Sequence, residues 1–253
     1  MIRSYVALGD SFTEGVGDGR PDGSVRGWAD FVAIGLQAAS ADPIGYANLA
    51  IRGRKLAPII DEQLEPALAL GADLLTFNGG GNDIMRPRVK IDWVVERTMD
   101  LVDRTLATET RPVILAGANP SRLLPLGRVI RNRGDALADA VADALGGTGV
   151  LFVDNWHDEQ LEAARYWSAD KLHLNALGHA RVAANVLEAL DVAVPHEWGV
   201  EAVADAAENE RRTFAYYRDY VLPWIGRRLT RRSSGDGRVA KRPTLLPVSD
   251  SDQ

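Results

Sequence analysis

The sequence contains no cysteine. Disulfides and cysteine-ligated metal sites are therefore excluded, and a reducing compartment fits. No run of about 18 apolar residues occurs, so no membrane-spanning helix is expected. The start, Met1-Ile2-Arg3, lacks the long apolar stretch and small-residue cleavage site of a signal peptide, and a cytoplasmic protein is expected. A strong net positive charge is confined to one stretch. Seven basic residues and one acid lie between 227 and 243, a local +6 against a net −6, which leaves −12 on the rest. An acidic body argues against nucleic acid as the main partner. The phosphate-binding patterns are also missing. Gly79-Gly80-Gly81-Asn82-Asp83 forms a turn or a cradle of backbone N–H groups, but it has neither the lysine of a P-loop nor a complete Gly-x-Gly-x-x-Gly.

What is present is an ordinary globular composition of 253 residues, enough for one sizeable domain with an appendage. Short apolar runs at 3–8, 45–50, 73–78, 112–116 and 150–153 alternate with helical patterns at 28–39, 56–70, 91–107, 129–145 and 174–190. The runs are continuously apolar, as strands buried on both faces are. About five strands in a parallel sheet covered by helices follow, an α/β fold.

Gly9-Asp10-Ser11-Phe12 follows the first run. A serine leaving a strand is often only a helix cap. It would also lie at the C-terminal edge of the sheet, where open α/β sheets bind ligands. There it is a candidate nucleophile, provided a base activates it. Of the four histidines, His157, His179 and His196 have ordinary roles open to them, and His179 is expected to pack. His173 stands three residues after Asp170, a turn spacing that lets the carboxylate reach Nδ1 and leaves Nε2 facing outward. Gly53 and Asn82 are candidate suppliers of donors to a developing oxyanion. Asp10 and Asp83 read as structural, bonded to loop backbone. Asp170, His173 and His179 could instead be metal ligands, but no His-x-x-x-His or cysteine pair supports that, and neither metal nor cofactor is expected.

Gly9-Asp10-Ser11-Phe12, Gly53, Gly80-Gly81-Asn82-Asp83 and Asp170-Lys171-Leu172-His173 occur in the order of the blocks of the SGNH (GDSL) hydrolase family, which the chain resembles over roughly residues 3–190. Phe12 departs from the family's Leu and is expected to pack inward. An α/β-hydrolase would show Gly-x-Ser-x-Gly in mid-chain and an acid well separated from its histidine. The resemblance implies a flavodoxin-like three-layer α/β/α sandwich and a serine hydrolase, an esterase or lipase cleaving a small-molecule ester or thioester. It implies Ser11 as nucleophile, His173 as base and Asp170 as its orienting acid. It implies the Ser11 and Gly53 N–H groups with the Asn82 amide as the oxyanion hole. An acyltransferase of the same fold, using the same acyl-enzyme, and a non-catalytic binding module are the alternatives.

The expected organisation is a catalytic domain over 1–195, a helical extension over 196–232 and a disordered basic and polar tail over 233–253. Phe214, Tyr217, Val221, Trp224 and Ile225 recur at helical spacing, beside several arginines. Residues 210–232 are thus expected to dock on the body or to contact a membrane surface or a protein.

Overall fold

The computed structural model describes residues 2–198 and 233–249. Five strands, β1 (Ser4–Leu8), β2 (Gly45–Asn48), β3 (Leu74–Phe77), β4 (Arg111–Ala116) and β5 (Leu151–Asp154), pair in parallel. A sixth, β6 (Arg242–Pro247), adds antiparallel to β2, giving the order β5-β4-β3-β1-β2-β6. Strand side chains alternate between the two faces. Tyr5, Ala7, Leu74, Val113, Leu115 and Val153 join one core with α2 (Trp28–Ala38) and α8 (Ala176–Ala189). Val6, Leu8, Leu75, Phe77 and Ile114 join the other, under α6 (Ile91–Leu106) and α7 (Gly127–Leu145). The helix expected over 56–70 is one continuous segment, Leu56–Ala69, whose middle, Ile60–Leu64, widens to π geometry. The result is an α/β/α sandwich with a mostly parallel sheet, as expected.

The sixth strand corrects both the five-strand count and the disordered tail. Residues 233–253 were expected to be disordered because the tail is basic and rich in Ser, Gly and Pro, yet 242–247 form a strand that carries Pro243 and Pro247. Proline is tolerated on an edge strand, where one side of the backbone needs no partner. Tyr46 pairs with Leu246, the Arg242 guanidinium lies 5.2 Å from the Tyr46 ring centre, and Leu245 packs on the α6/α7-side core. Trp198 packs edge-on against Phe31, with 5.3 Å between ring centres. The amphipathic pattern at 210–232, and the contacts expected of it, lie outside the described residues. Among the described residues no helix is long and apolar enough to cross a membrane.

Candidate active site

The C-terminal ends of β1, β2 and β3 bring the first three motif blocks together. The chain leaves β1 at Gly9, whose N–H donates to Gln63 Oε1 at 2.9 Å and whose carbonyl accepts from Gln63 Nε2 at 3.0 Å. Gln63 is buried on the π segment and fixes the turn before Ser11. Asp10 caps a single helical turn, α1 (Ser11–Glu14), by accepting from the Phe12 N–H. Ser11 is the first residue of that turn, where backbone N–H groups have no helical acceptor. Among the described residues its N–H has no acceptor at all. Phe12 packs against Trp28, as expected, with ring centres 5.8 Å apart.

Gly53 lies in a turn closed by the Arg54 N–H on the Ile51 carbonyl. Its φ of +74 is a conformation that favours glycine. Arg52 anchors this turn to α1: its N–H donates to Glu14 Oε2, and its Nε and Nη2 donate to Glu14 Oε1 at 2.8 and 2.6 Å. The Gly53 N–H, like that of Ser11, has no acceptor among the described residues.

Asn82 sits in the short helix α5 (Gly81–Ile84) beyond β3. Both hydrogens of its amide are engaged, one on Asp10 Oδ2 at 2.8 Å and one on the Arg54 carbonyl at 2.9 Å. An oxyanion at this amide would have to share or replace one of these acceptors. Asp83 accepts from the Leu56 N–H at 2.8 Å, so it and Asp10 both bond loop backbone as expected.

The fourth block lies between β5 and α8. Asp170 Oδ1 accepts from the Ser168 hydroxyl and from the N–H groups of Leu172 and His173. Lys171 takes a left-handed φ of +59 to allow this tight loop. Asp170 Oδ2 lies 2.6 Å from His173 Nδ1, and His173 Nε2 lies 3.0 Å from Ser11 Oγ. Burial pushes the Asp170 carboxyl up. The His173 hydrogen bond and charge, with two backbone donors, outweigh that and hold it well below the usual carboxylate range. His179 packs as expected: it is fully buried, its Nδ1 accepts from the Trp28 N–H, and burial lowers its pKa to about 3. Among the described residues no cluster of side chains has the make-up of a metal site.

Burial raises the Asp10 pKa to about 6, against the opposing effects of the Phe12 N–H, the His173 charge and the Asn82 amide. The folded state thus binds a proton here that the unfolded state releases near pH 4. Stability from this group should fall as pH rises from about 4 to about 6, by about 3 kcal/mol. Asp10→Asn should lack that component, which denaturant titrations of both proteins across this range will read.

A cavity of about 990 Å³ opens at Ser11, Gly53, Asn82 and His173. One arm runs between α7 and the sheet, walled by Phe77, Ile114, Leu137, Val141, Phe152 and Trp156. The polar atoms on this arm are already used: Thr98 Oγ1 donates to the Val94 carbonyl and Trp156 Nε1 to Asp135. The loop over 16–27 contributes Val16 to the cavity wall, and that over 117–128 contributes Gly117, Ala118 and Pro120. Arg122 is exposed and pairs with Glu162, and Arg128 is also exposed. Sequence reasoning missed Gln63, Glu14 and the cavity arm. Glu14, four residues from Asp10, was the nearest to a visible signal.

A mostly parallel α/β/α sandwich thus carries a serine, a histidine and an aspartate in hydrogen-bonded series at its C-terminal edge. A family model, the GDSL-like Lipase/Acylhydrolase family, matches residues 7–181, and the chain belongs to this family of esterases and lipases. No curated protein sequence matches the chain. Among solved structures, a catalytic mutant of the acetylxylan esterase Axe2 from Geobacillus stearothermophilus is similar, with TM-score 0.64 and 21% identity over 76% of this chain and 95% of that one. The lipase Lip_vut3 from a goat rumen metagenome gives 0.62 and 17%, over 74% and 96%. The lipase/acylhydrolase from Enterococcus faecalis gives 0.61 and 17%, over 77% and 99%.

Proposed function

We propose that this chain is a serine hydrolase that cleaves carboxylic esters or thioesters through an acyl-enzyme. The observation that carries the reading is the series Asp170 Oδ2, His173 Nδ1, His173 Nε2 and Ser11 Oγ, at 2.6 and 3.0 Å. Ionised Asp170 accepts from Nδ1–H, which leaves Nε2 as the basic nitrogen. As Ser11 Oγ attacks the carbonyl carbon, its proton passes to His173 Nε2. The carbonyl oxygen takes the negative charge, beside the open N–H groups of Ser11 and Gly53 and the Asn82 amide. His173 then protonates the leaving alcohol or thiol as the tetrahedral species collapses to the acyl-enzyme. Water repeats the sequence from the other side, with His173 again the base, and restores the Ser11 hydroxyl. Catalytic mutants of Axe2 replace the same three residue types, a serine, an aspartate and a histidine.

The test is reaction with a fluorophosphonate probe together with hydrolysis of p-nitrophenyl esters. One equivalent of probe on Ser11, with turnover, supports the reading. Turnover without labelling of Ser11 overturns it. An acyltransferase would instead divert acyl groups to an added alcohol in preference to water.

We read the apolar arm of the cavity as the seat of the acyl group. Ala138 of α7 is buried on that arm. Ala138→Phe should therefore cut kcat/KM for the p-nitrophenyl octanoate more than tenfold, while the acetate stays within about twofold. Assays across chain length will check it. Equal losses on both esters would place the acyl group elsewhere.

A further inference from the structure

We propose that the turn at 233–236 is part of the active site, with Ser233 positioning the Gly53 peptide. This rests on the oxyanion reading of Gly53 above. The turn lies more than fifty residues beyond the matched family region, which ends at 181. Ser233, Ser234 and Asp236 nevertheless line the cavity beside Gly53. Ser233 Oγ donates to the Gly53 carbonyl at 3.1 Å and accepts from the Gly235 N–H at 3.1 Å. The turn is also braced internally. The Ser233 N–H donates to Asp236 Oδ2 at 2.9 Å, and Arg238 Nε donates to the Ser234 carbonyl at 3.2 Å.

The segment is tied down just beyond. Lys241 Nζ donates to the carbonyls of Glu14 and Val25 and to Asp30 Oδ2, at 2.7, 3.1 and 2.6 Å. β6 then begins and pairs with β2. The Ile51–Arg54 turn is thus held from two sides, by Glu14 through Arg52 and by Ser233 through Gly53.

This hold matters because a glycine turn has two states. Flipping its central peptide carries the third residue from positive to negative φ and reverses that residue's N–H. Here the central peptide is Arg52–Gly53, so the N–H that reverses is Gly53's. Ser233 bonds the next carbonyl, and the Ser233 and Ser234 hydroxyls crowd the side of Gly53 where a Cβ would stand, at 2.5 and 2.8 Å. Together they tie the end of the turn, with Gly53 at φ +74, to the 233–236 segment and leave it little room to rearrange.

Four variants are compared with wild type on p-nitrophenyl acetate. Ser11→Ala tests the reading of the site. Ser233→Ala removes one hydroxyl. Gly235→Ala places a Cβ 2.1 Å from the Arg52 carbonyl and lifts the turn away. Ser233→Ala should lower kcat about tenfold at unchanged KM, from one lost hydrogen bond. It should weaken an alkylboronic acid, which forms a tetrahedral adduct on serine, by the same factor. Ser233→Thr should restore both. Gly235→Ala should lower kcat about 10²-fold by displacing the turn. Thermal unfolding checks that Ser233→Ala stays folded. If Ser11→Ala is inactive while Ser233→Ala keeps kcat within threefold, or changes only KM, the turn does not position Gly53 and this inference falls alone. If Ser11→Ala retains turnover, the site reading falls and takes this inference with it.

Discussion

Ser11→Ala and His173→Ala should each lower kcat for an activated ester by about 10⁵–10⁶-fold, and the double variant should be little worse than either. The non-additivity follows from the geometry. With Nε2 3.0 Å from Oγ, neither group has a partner of use once the other is gone. Both residues lie partly buried at the sheet edge, outside the two apolar cores, so the variants should unfold at temperatures close to wild type. Steady-state assays with calorimetry of the same preparations will check this. A Ser11→Ala protein with near-normal turnover is incompatible with the proposed chemistry.

Asp170→Asn should cost about 10⁴-fold in kcat with the loop intact. Oδ1 takes three donors, and an asparagine oxygen can keep all of them. The group replacing Oδ2 would then be an NH₂, which donates to His173 Nδ1. The proton is forced onto Nε2, and the imidazole presents a hydrogen to Ser11 where a base is needed. The carboxylate's folded pKa is depressed, so its contribution to stability is present above the ordinary carboxylate pKa and lost as pH falls below it. Asp170→Asn should flatten that acid limb of the stability curve. Kinetics at neutral pH, with unfolding followed from pH 2 to 7, will read both effects.

Much of this site was legible because its chemistry is carried by residues close together in sequence. Asp170 and His173 share one loop, and Ser11 directly follows a strand whose burial is visible in its composition. The parallel sheet was legible for the same reason, since each of its five strands is a self-contained apolar run. What escaped are contacts whose partners are remote. Nothing in Ile60–Leu64 marks Gln63 as the clamp on Gly9, because the π widening that aims it is not a local preference. Nothing in Pro243-Thr244-Leu245-Leu246 says strand until the open edge of β2 is known. Asn82 shows the complementary limit. Its place beside the serine could be read from the motif, but the acceptors that occupy its amide, Asp10 and Arg54, could not.

Tyr46 and Leu246 are neighbours in the sheet but two hundred residues apart in the chain. During synthesis at about 5–20 residues per second, the outer edge of β2 waits about 10–40 s for its partner to emerge. Closing so long a loop adds little to stability but slows the search for the contact. The five parallel strands can assemble first, with a bare edge open to other chains. The segment that covers this edge and brings Ser233 to Gly53 leaves the ribosome some two hundred residues after β2. A growing chain would therefore carry Ser11, His173 and Asp170 in register well before its cavity is walled.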